Sequence, residues 1–81
     1  MQLIIMTPAK KEVHEVEWAE CNTPTCNYVI QQGHAPMILS LSEKQPFVYS
    51  FKNGKEVVVM VSSGIAQITR TQLTVLLSNL E

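Results

Sequence analysis

The sequence predicts an all-β fold, a small sandwich or barrel, and three observations predict it. Val, Ile and Thr total 21 residues against 11 for Ala plus Leu, and branching at Cβ suits a pleated surface better than a helix. Turn-forming residues break the chain at short intervals: Thr7-Pro8, Asn22-Thr23-Pro24, Gly33 to Pro36, Gln45-Pro46, Asn53-Gly54 and Ser62-Ser63-Gly64. Short strands between frequent turns indicate a sandwich or barrel. The length, 81 residues, has room for one domain.

Along the chain, Ala9 to Glu20 is the first ambiguous stretch. It is rich in Lys and Glu, and Thr7-Pro8 would serve as N-cap and first residue of a helix. Val16 and Trp18 alternate with Glu15 and Glu17, however, which is the pattern of a half-buried strand. Strands are expected here. Met37 to Leu41 reads as a strand entered from Pro36. Next comes a hairpin around Asn53-Gly54. Phe47, Tyr49 and Phe51 share one face of the incoming strand, because side chains alternate with period two. On the returning strand Val57, Val59 and Val61 oppose Val58 and Met60. Both faces are apolar, which predicts a central strand buried on both sides. Asn-Gly predicts a type I′ turn. Last, Ile65, Ile68, Leu73, Leu76 and Leu80 have helical spacing, but the region is rich in β-branched residues. It reads as strands around a turn at Thr69 to Gln72.

Composition narrows the function. Charged residues are 16% of the chain, against about 25% in ordinary domains. Net charge is −1, and Lys10–Lys11 is the one close basic pair, so nucleic acid is not an expected partner. The longest apolar run, Val57 to Val61, has five residues, far from the roughly 20 that span a bilayer as a helix. The start lacks a cationic signal region, so an intracellular location is expected. Two cysteines do not make a disulfide scaffold. Ser, Thr, Asn and Gln supply 22 residues. A surface this polar and this weakly charged is expected where a partner covers part of it.

Few residues carry chemistry. Cys21 and Cys26, with His14 and His34, are a four-ligand set of the kind zinc uses. Their C-x4-C spacing is not that of a finger, and two reduced thiols are the plainer reading. The chain has no Asp, so a catalytic histidine would need orientation by Glu. His14 lies near Glu12, Glu15 and Glu17, but strand alternation is expected to point these to different faces. Glu15 and Glu17 share a strand face and offer a carboxylate pair, which a solvated face explains more simply. The three glycines stand far apart, so no phosphate loop is present. Neither a catalytic centre, a metal nor a cofactor is expected. Gln32-Gly33-His34-Ala35-Pro36-Met37-Ile38 is different. Gly33 permits a turn and Pro36 fixes φ ahead of a strand, which places His34 at a tight corner, where its ring can satisfy a carbonyl.

That corner resembles the N-terminal β-sandwich domain of the ATP synthase epsilon subunit, called delta in mitochondria. The family has a G-H-A-P-L/M corner after a short apolar strand, matched by Val29 to Met37. Its small-residue turn and β-rich end are matched by Val59 to Ala66 and by Leu73-Thr74-Val75-Leu76. Leu3 to Pro8 fits the first strand, so the resemblance covers nearly the whole chain. It implies a flattened antiparallel sandwich of two sheets spanning residues 1–81 as a single domain. It also implies a rotor subunit without an active site, clamping the gamma subunit and seated on the c-ring, and touching the membrane only through the complex. By position, Thr25, Cys26, Asn27 and Tyr28 would approach the ring. Gly33, His34, Ala35, Pro36 and Met37 would help form the gamma- and ring-facing end. Cys26 and Asn27 stand where the family usually has glycine and an acidic residue, and Ser63-Gly64 where it often has paired glycines. The chain stops at Glu81, where many relatives continue into two helices, so a coupling subunit without built-in inhibition is expected. A free-standing β-sandwich adaptor of the same descent is the alternative reading.

Overall fold

The computed structural model describes residues 1–41 and 44–80, and among them there are eight strands and no helix. They are β1 (Gln2–Met6), β2 (Lys11–Glu15), β3 (Trp18–Asn22), β4 (Asn27–Ile30), β5 (Met37–Leu41), β6 (Gln45–Ser50), β7 (Glu56–Ile68) and β8 (Gln72–Leu80). Both ambiguous stretches, 9–20 and 65–80, are strands. Thr69 to Gln72 is a turn, closed by Thr69 N–H donating to the Gln72 carbonyl at 2.9 Å.

β7 organises the molecule. From Glu56 to Val61 it pairs with β6, which pairs with β3, which pairs with β4. From Gly64 to Ile68 it lies between β5 and β8, and β8 leads on to β1 and β2. One long strand thus belongs to a four-stranded and a five-stranded sheet, and hydrogen bonding is continuous through it. The overall shape is flattened, 26 × 26 × 19 Å. Every ladder is antiparallel except β1–β8, which runs parallel with Gln2 opposite Gln72 and Met6 opposite Leu76. The first and last strands are joined only through the rest of the fold, so no tight turn imposes an antiparallel direction on them.

The core is the space between the sheets. Leu3, Ile5, Leu73, Val75, Ala66 and Ile68 enter it from the five-stranded side. Ala19, Cys21, Ile30, Phe47, Tyr49 and Val61 enter from the four-stranded side. Period-two alternation accounts for each set. The change of sheet accounts for the rest: Val61 faces inward at an odd position, Ala66 and Ile68 at even ones. Register shifts on either side of Ser63 insert the residue that inverts the alternation, as a β-bulge does.

Three expectations are corrected here. Ser62-Ser63-Gly64 does not break the chain, because a bulge lets β7 change sheets without ending. The strand is not buried on both faces: Val58 is 60% exposed and Met60 40%. The Asn53-Gly54 turn is not type I′, since Gly54 has φ +88 while Asn53 does not share the positive φ that type requires. Gly54 N–H donates to the Phe51 carbonyl, and Phe51 N–H to the Lys55 carbonyl, both at 2.9 Å. That is a type I turn followed by a left-handed glycine, the usual three-residue hairpin loop. Lys55 N–H caps it on Asn53 Oδ1 at 2.9 Å.

Candidate protein-docking surface

The corner after β4 is built by local hydrogen bonds and one distant anchor. His34 N–H donates to the Gln31 carbonyl at 3.1 Å, turning the chain. Gly33 sits at φ +89, and its N–H donates to the Arg70 carbonyl at 2.6 Å. Arg70 Nη1 returns a weaker bond to the Gly33 carbonyl at 3.4 Å. His34 Nδ1 donates to the Ala35 carbonyl at 2.9 Å, as a satisfied corner histidine should. The corner is therefore fastened to the β7–β8 turn. Arg70, the chain's one arginine, is a member of this end that sequence reasoning missed. Its turn was legible, but no local pattern links positions 33 and 70.

The loop between β3 and β4 is equally well made. Thr23 N–H and Oγ1–H both donate to the Cys26 carbonyl, at 2.9 and 2.8 Å, and Cys26 N–H donates back to Thr23 Oγ1 at 3.0 Å. Pro24 presets the backbone between them. Asn27 Nδ2 donates to Asn22 Oδ1 at 2.8 Å, and Asn22 Nδ2 to the Pro46 carbonyl at 2.7 Å. Thr25, Cys26 and Asn27 are exposed, while Tyr28 alternates inward and packs on the core. The structure does not bring this loop together with the corner. They lie at opposite ends of β4, whose four residues span roughly 13 Å. Gly33, Ala35 and Pro36 are exposed; His34 and Met37 are half-buried.

The remaining candidate groups go to separate places. Cys21 is fully buried, and burial, with a smaller contribution from the Glu20 charge, pushes its thiol up to about 12. Cys26 is exposed on the loop. His14 stacks on Tyr49, ring centroids 5.4 Å apart, with Phe51 edge-on at 5.8 Å. It does share a face with Glu12, contrary to expectation, because residues two apart on a strand point the same way. His14 Nε2 donates to Glu12 Oε1 at 3.2 Å. That bond, opposed by partial burial and helped by Lys10, holds the Glu12 carboxyl below its usual value. Burial, then the Glu12 charge, raises the Tyr49 hydroxyl. Glu15 ends β2 while Glu17 lies beyond it in the connection to β3, so they do not form the expected same-strand pair. Both line a cavity of about 400 Å³ with Met1, Gln31, Gln32 and Lys52. There the Met1 ammonium donates to Glu15 Oε1 at 3.0 Å.

What the molecule offers most conspicuously is apolar surface on the outside of both sheets. Register fixes which residues share it. On the five-stranded sheet Ile38, Gln67, Thr74, Ile4 and Val13 form one row, and Ser40, Ile65, Leu76, Met6 and Lys11 the next. Ile38 is 70% exposed, and Val13, Ile65 and Leu76 are exposed with it. On the four-stranded sheet one row reads Val29, Glu20, Val48, Val58, flanked by the pairs Asn27–Asn22 and Pro46–Met60. Faces like these mark sites of association. Periodicity found the strands but not these surfaces, because an apolar residue facing out is written like one facing in. The low charge content was the available signal.

A family model described as "ATP synthase, Delta/Epsilon chain, beta-sandwich domain" matches residues 1–81. No curated protein matches the sequence. Among solved structures, the fold is similar to a chain of the Euglena gracilis mitochondrial ATP synthase (OSCP/F1/c-ring, rotational state 1). The TM-score is 0.88 at 13% identity, over 98% of this chain and 51% of that one. It is also similar to a chain of the Tetrahymena thermophila mitochondrial ATP synthase central stalk and c-ring. That TM-score is 0.83 at 17% identity, over 100% of this chain and 65% of that one. The chain thus spans about half to two thirds of the length of these structural relatives.

Proposed function

This chain belongs to the ATP synthase delta/epsilon β-sandwich domain family, and from that premise we propose that it is a non-catalytic rotor domain of an F-type ATP synthase. It clamps the gamma subunit and contacts the c-ring, so that proton translocation turns the shaft and drives ATP synthesis. It is peripheral to the energy-coupling membrane, on the cytoplasmic or equivalent organelle side, and reaches the membrane only through the complex.

The observation that carries this reading is the apolar outer face of the five-stranded sheet. It is continuous with the corner, since Met37 opens β5 and Ile38, the most exposed of the large apolar side chains described, follows it. Covering Ile38, Ile65, Leu76 and Val13 removes apolar area from water, which favours association at about 25 cal/mol per Å² before the costs of ordering. The gamma subunit is assigned to this face and to His34 and Met37 at its end. The exposed loop Thr25-Cys26-Asn27, at the far end of β4, is assigned to the c-ring. Tyr28 backs that loop from the core side.

A titration of the purified chain against its own organism's gamma subunit, by calorimetry or size exclusion, tests the reading. A one-to-one complex of submicromolar affinity is expected. His34→Glu and Met37→Glu should each weaken it with the fold intact. A folded monomer that does not bind gamma would favour the adaptor reading instead, and binding that survives both substitutions would overturn the assigned contact surface.

A further inference from the structure

We propose that the edge strand β2 pairs with β2 of a second copy of this chain, antiparallel and centred on Val13, so that two five-stranded sheets join into one. β2 ends the strand order, with β1 as its one ladder partner among the described residues. The bonds at the two ends of that ladder fix which groups are left over. Met1 and Val16 exchange both backbone bonds, at 2.9 and 3.1 Å, and Thr7 N–H donates to the Lys10 carbonyl at 2.9 Å. Bonded and unbonded pairs alternate in an antiparallel ladder. With Val16 and Lys10 bonded on that side, His14 and Glu12 are too, whereas Lys11, Val13 and Glu15 turn their N–H and C=O groups to the open edge. Their side chains are exposed as well, Val13 by 51%. An edge with free donors and acceptors is met by another strand.

A charged edge ordinarily repels its own kind, but the order of residues here reverses that. Read antiparallel against itself about Val13, Lys11-Glu12-Val13-His14-Glu15 sets Lys11 opposite Glu15, Glu12 opposite His14 and Val13 opposite Val13, then the same pairs in reverse. Residues opposite one another stand about 5 Å apart at Cβ, where unlike charges attract and like charges repel. Sliding one strand by two residues would set Glu12 against Glu12 or His14 against His14, and parallel in-register pairing would set every residue against its like. Charge therefore selects both occupant and register: a second copy always carries this reversed order, and an arbitrary strand does not. Among the described residues Lys11 forms no ion pair, so the second copy supplies its counter-charge. Apolar surface joins too. Val13 ends the row that runs through Ile4, and the two-fold axis places Ile4 and Val13 of one copy in line with Val13 and Ile4 of the other. Both copies spend the same edge, so assembly stops at two. Five residues a side make a small contact, so the dimer is weak and salt-sensitive. The pairing uses an edge rather than a face and is tested on the chain alone, so it stands whether or not gamma binds.

Sedimentation of the purified chain from micromolar to millimolar concentration, with amide hydrogen exchange at both limits, is the test. A monomer–dimer equilibrium is expected, with the Lys11, Val13 and Glu15 amides protected only at the high limit. Lys11→Glu should weaken the dimer roughly tenfold or more, because the axis turns one change into two like-charge pairs. Glu15→Lys should do the same. Mixing these two variants should restore dimers, now heterodimers in which Lys faces Glu at both ends. Val13→Pro removes the central outward N–H, at a position where an edge strand tolerates proline, and should leave a folded monomer by circular dichroism and sedimentation. If Glu15→Lys misfolds through its lost bond to Met1, Lys11→Glu and Val13→Pro still decide. A chain that stays monomeric at millimolar concentration would overturn the proposal. So would a dimer whose protection maps to β4 or β5, or one that neither Lys11→Glu nor Val13→Pro dissolves.

Discussion

Strand β7 carries two columns of side chains that are alike in composition and opposite in environment. Val61, Ala66 and Ile68 are at most 1% exposed between the sheets, whereas Val58, Met60 and Ile65 stand 40–60% exposed outside them. The inner column is held by contacts the chain itself supplies. The outer column is left about half in water by folding, and an isolated monomer rarely leaves such rows there. The same residue type therefore has two fates on one strand: inward it stabilises the domain, outward it stays partly in water, which is where the proposed docking would act. Substitutions that separate stability from binding divide the columns.

The largest effect belongs to the inner side. Phe47 is the largest of the fully buried side chains and fills the space between the sheets beside Tyr49. Phe47→Ala removes that packing and leaves a cavity, which costs about 3–5 kcal/mol. In a domain this small that is a large share of total stability. Thermal and urea unfolding are expected to show a protein close to unfolded at 37 °C. A loss below 1 kcal/mol would mean that the core is not organised around Phe47.

Next is the crossing point where β7 changes sheets. A Cβ added at Gly64 would meet Leu77 Cδ2 at 2.6 Å and the Leu76 carbonyl oxygen at 2.9 Å. The first neighbour is the end of a side chain, but the second is backbone and has little room to give. Gly64→Ala should cost about 1–3 kcal/mol through overpacking, visible as a lowered urea midpoint. An unchanged midpoint would show that the strands separate there at no cost.

Much of this fold was legible beforehand, and the exceptions have physical reasons. Pro36 marked the entry to β5 at Met37–Leu41, as observed, and the turn residues bracketed the β6–β7 hairpin. Periodicity reports the pleat, however, and not the direction of a partner that is remote in sequence. The parallel β1–β8 ladder, with Leu3 opposite Leu73, left no mark that local pattern could read. Ser63 was read as a break because small residues favour turns, yet in a bulge they serve the opposite end and let a strand continue. The corner was legible because Gly33 permits a positive φ and Pro36 fixes its own. Its anchor at Arg70 was not, being 37 positions away. The loop was read as approaching the ring and the corner as part of the gamma- and ring-facing end, and the length of β4 sets the two apart.

A smaller effect tests the rim of the inner side, where β2 meets β6. Glu12 accepts from His14 at 3.2 Å and pairs with Lys10 at 3.3 Å, and its folded pKa lies below the ordinary 4.5. A lowered carboxylate pKa stabilises the fold fully above the unfolded value and loses that contribution as pH falls through the folded one. Glu12→Gln should therefore be less stable than the parent at pH 6–7, by about 0.2–1 kcal/mol as for a surface pair. The two unfolding curves should converge below pH 4.5. A gap that stayed constant from pH 7 down to pH 3 would assign the effect to packing of the side chain rather than to its charge.

The smallest expected change in stability is the one that most sharply divides the columns. Ile38 and Leu76 are exposed on the five-stranded sheet, so replacing either with Gln removes little packing and should leave stability within about 0.5 kcal/mol. The same substitutions should weaken the gamma complex at least tenfold, because they subtract apolar area that the fold leaves exposed and association would cover. Unfolding and gamma titration of one purified variant give both numbers. If Ile38→Gln destabilised the domain as strongly as an inner substitution, its exposure would be nominal and the distinction between the columns would fail. If it changed neither number, the outer column would remain apolar without serving gamma, and the shaft would have to sit elsewhere. A variant that keeps its fold and loses its partner is the outcome that separates what holds this sandwich together from what it holds on to.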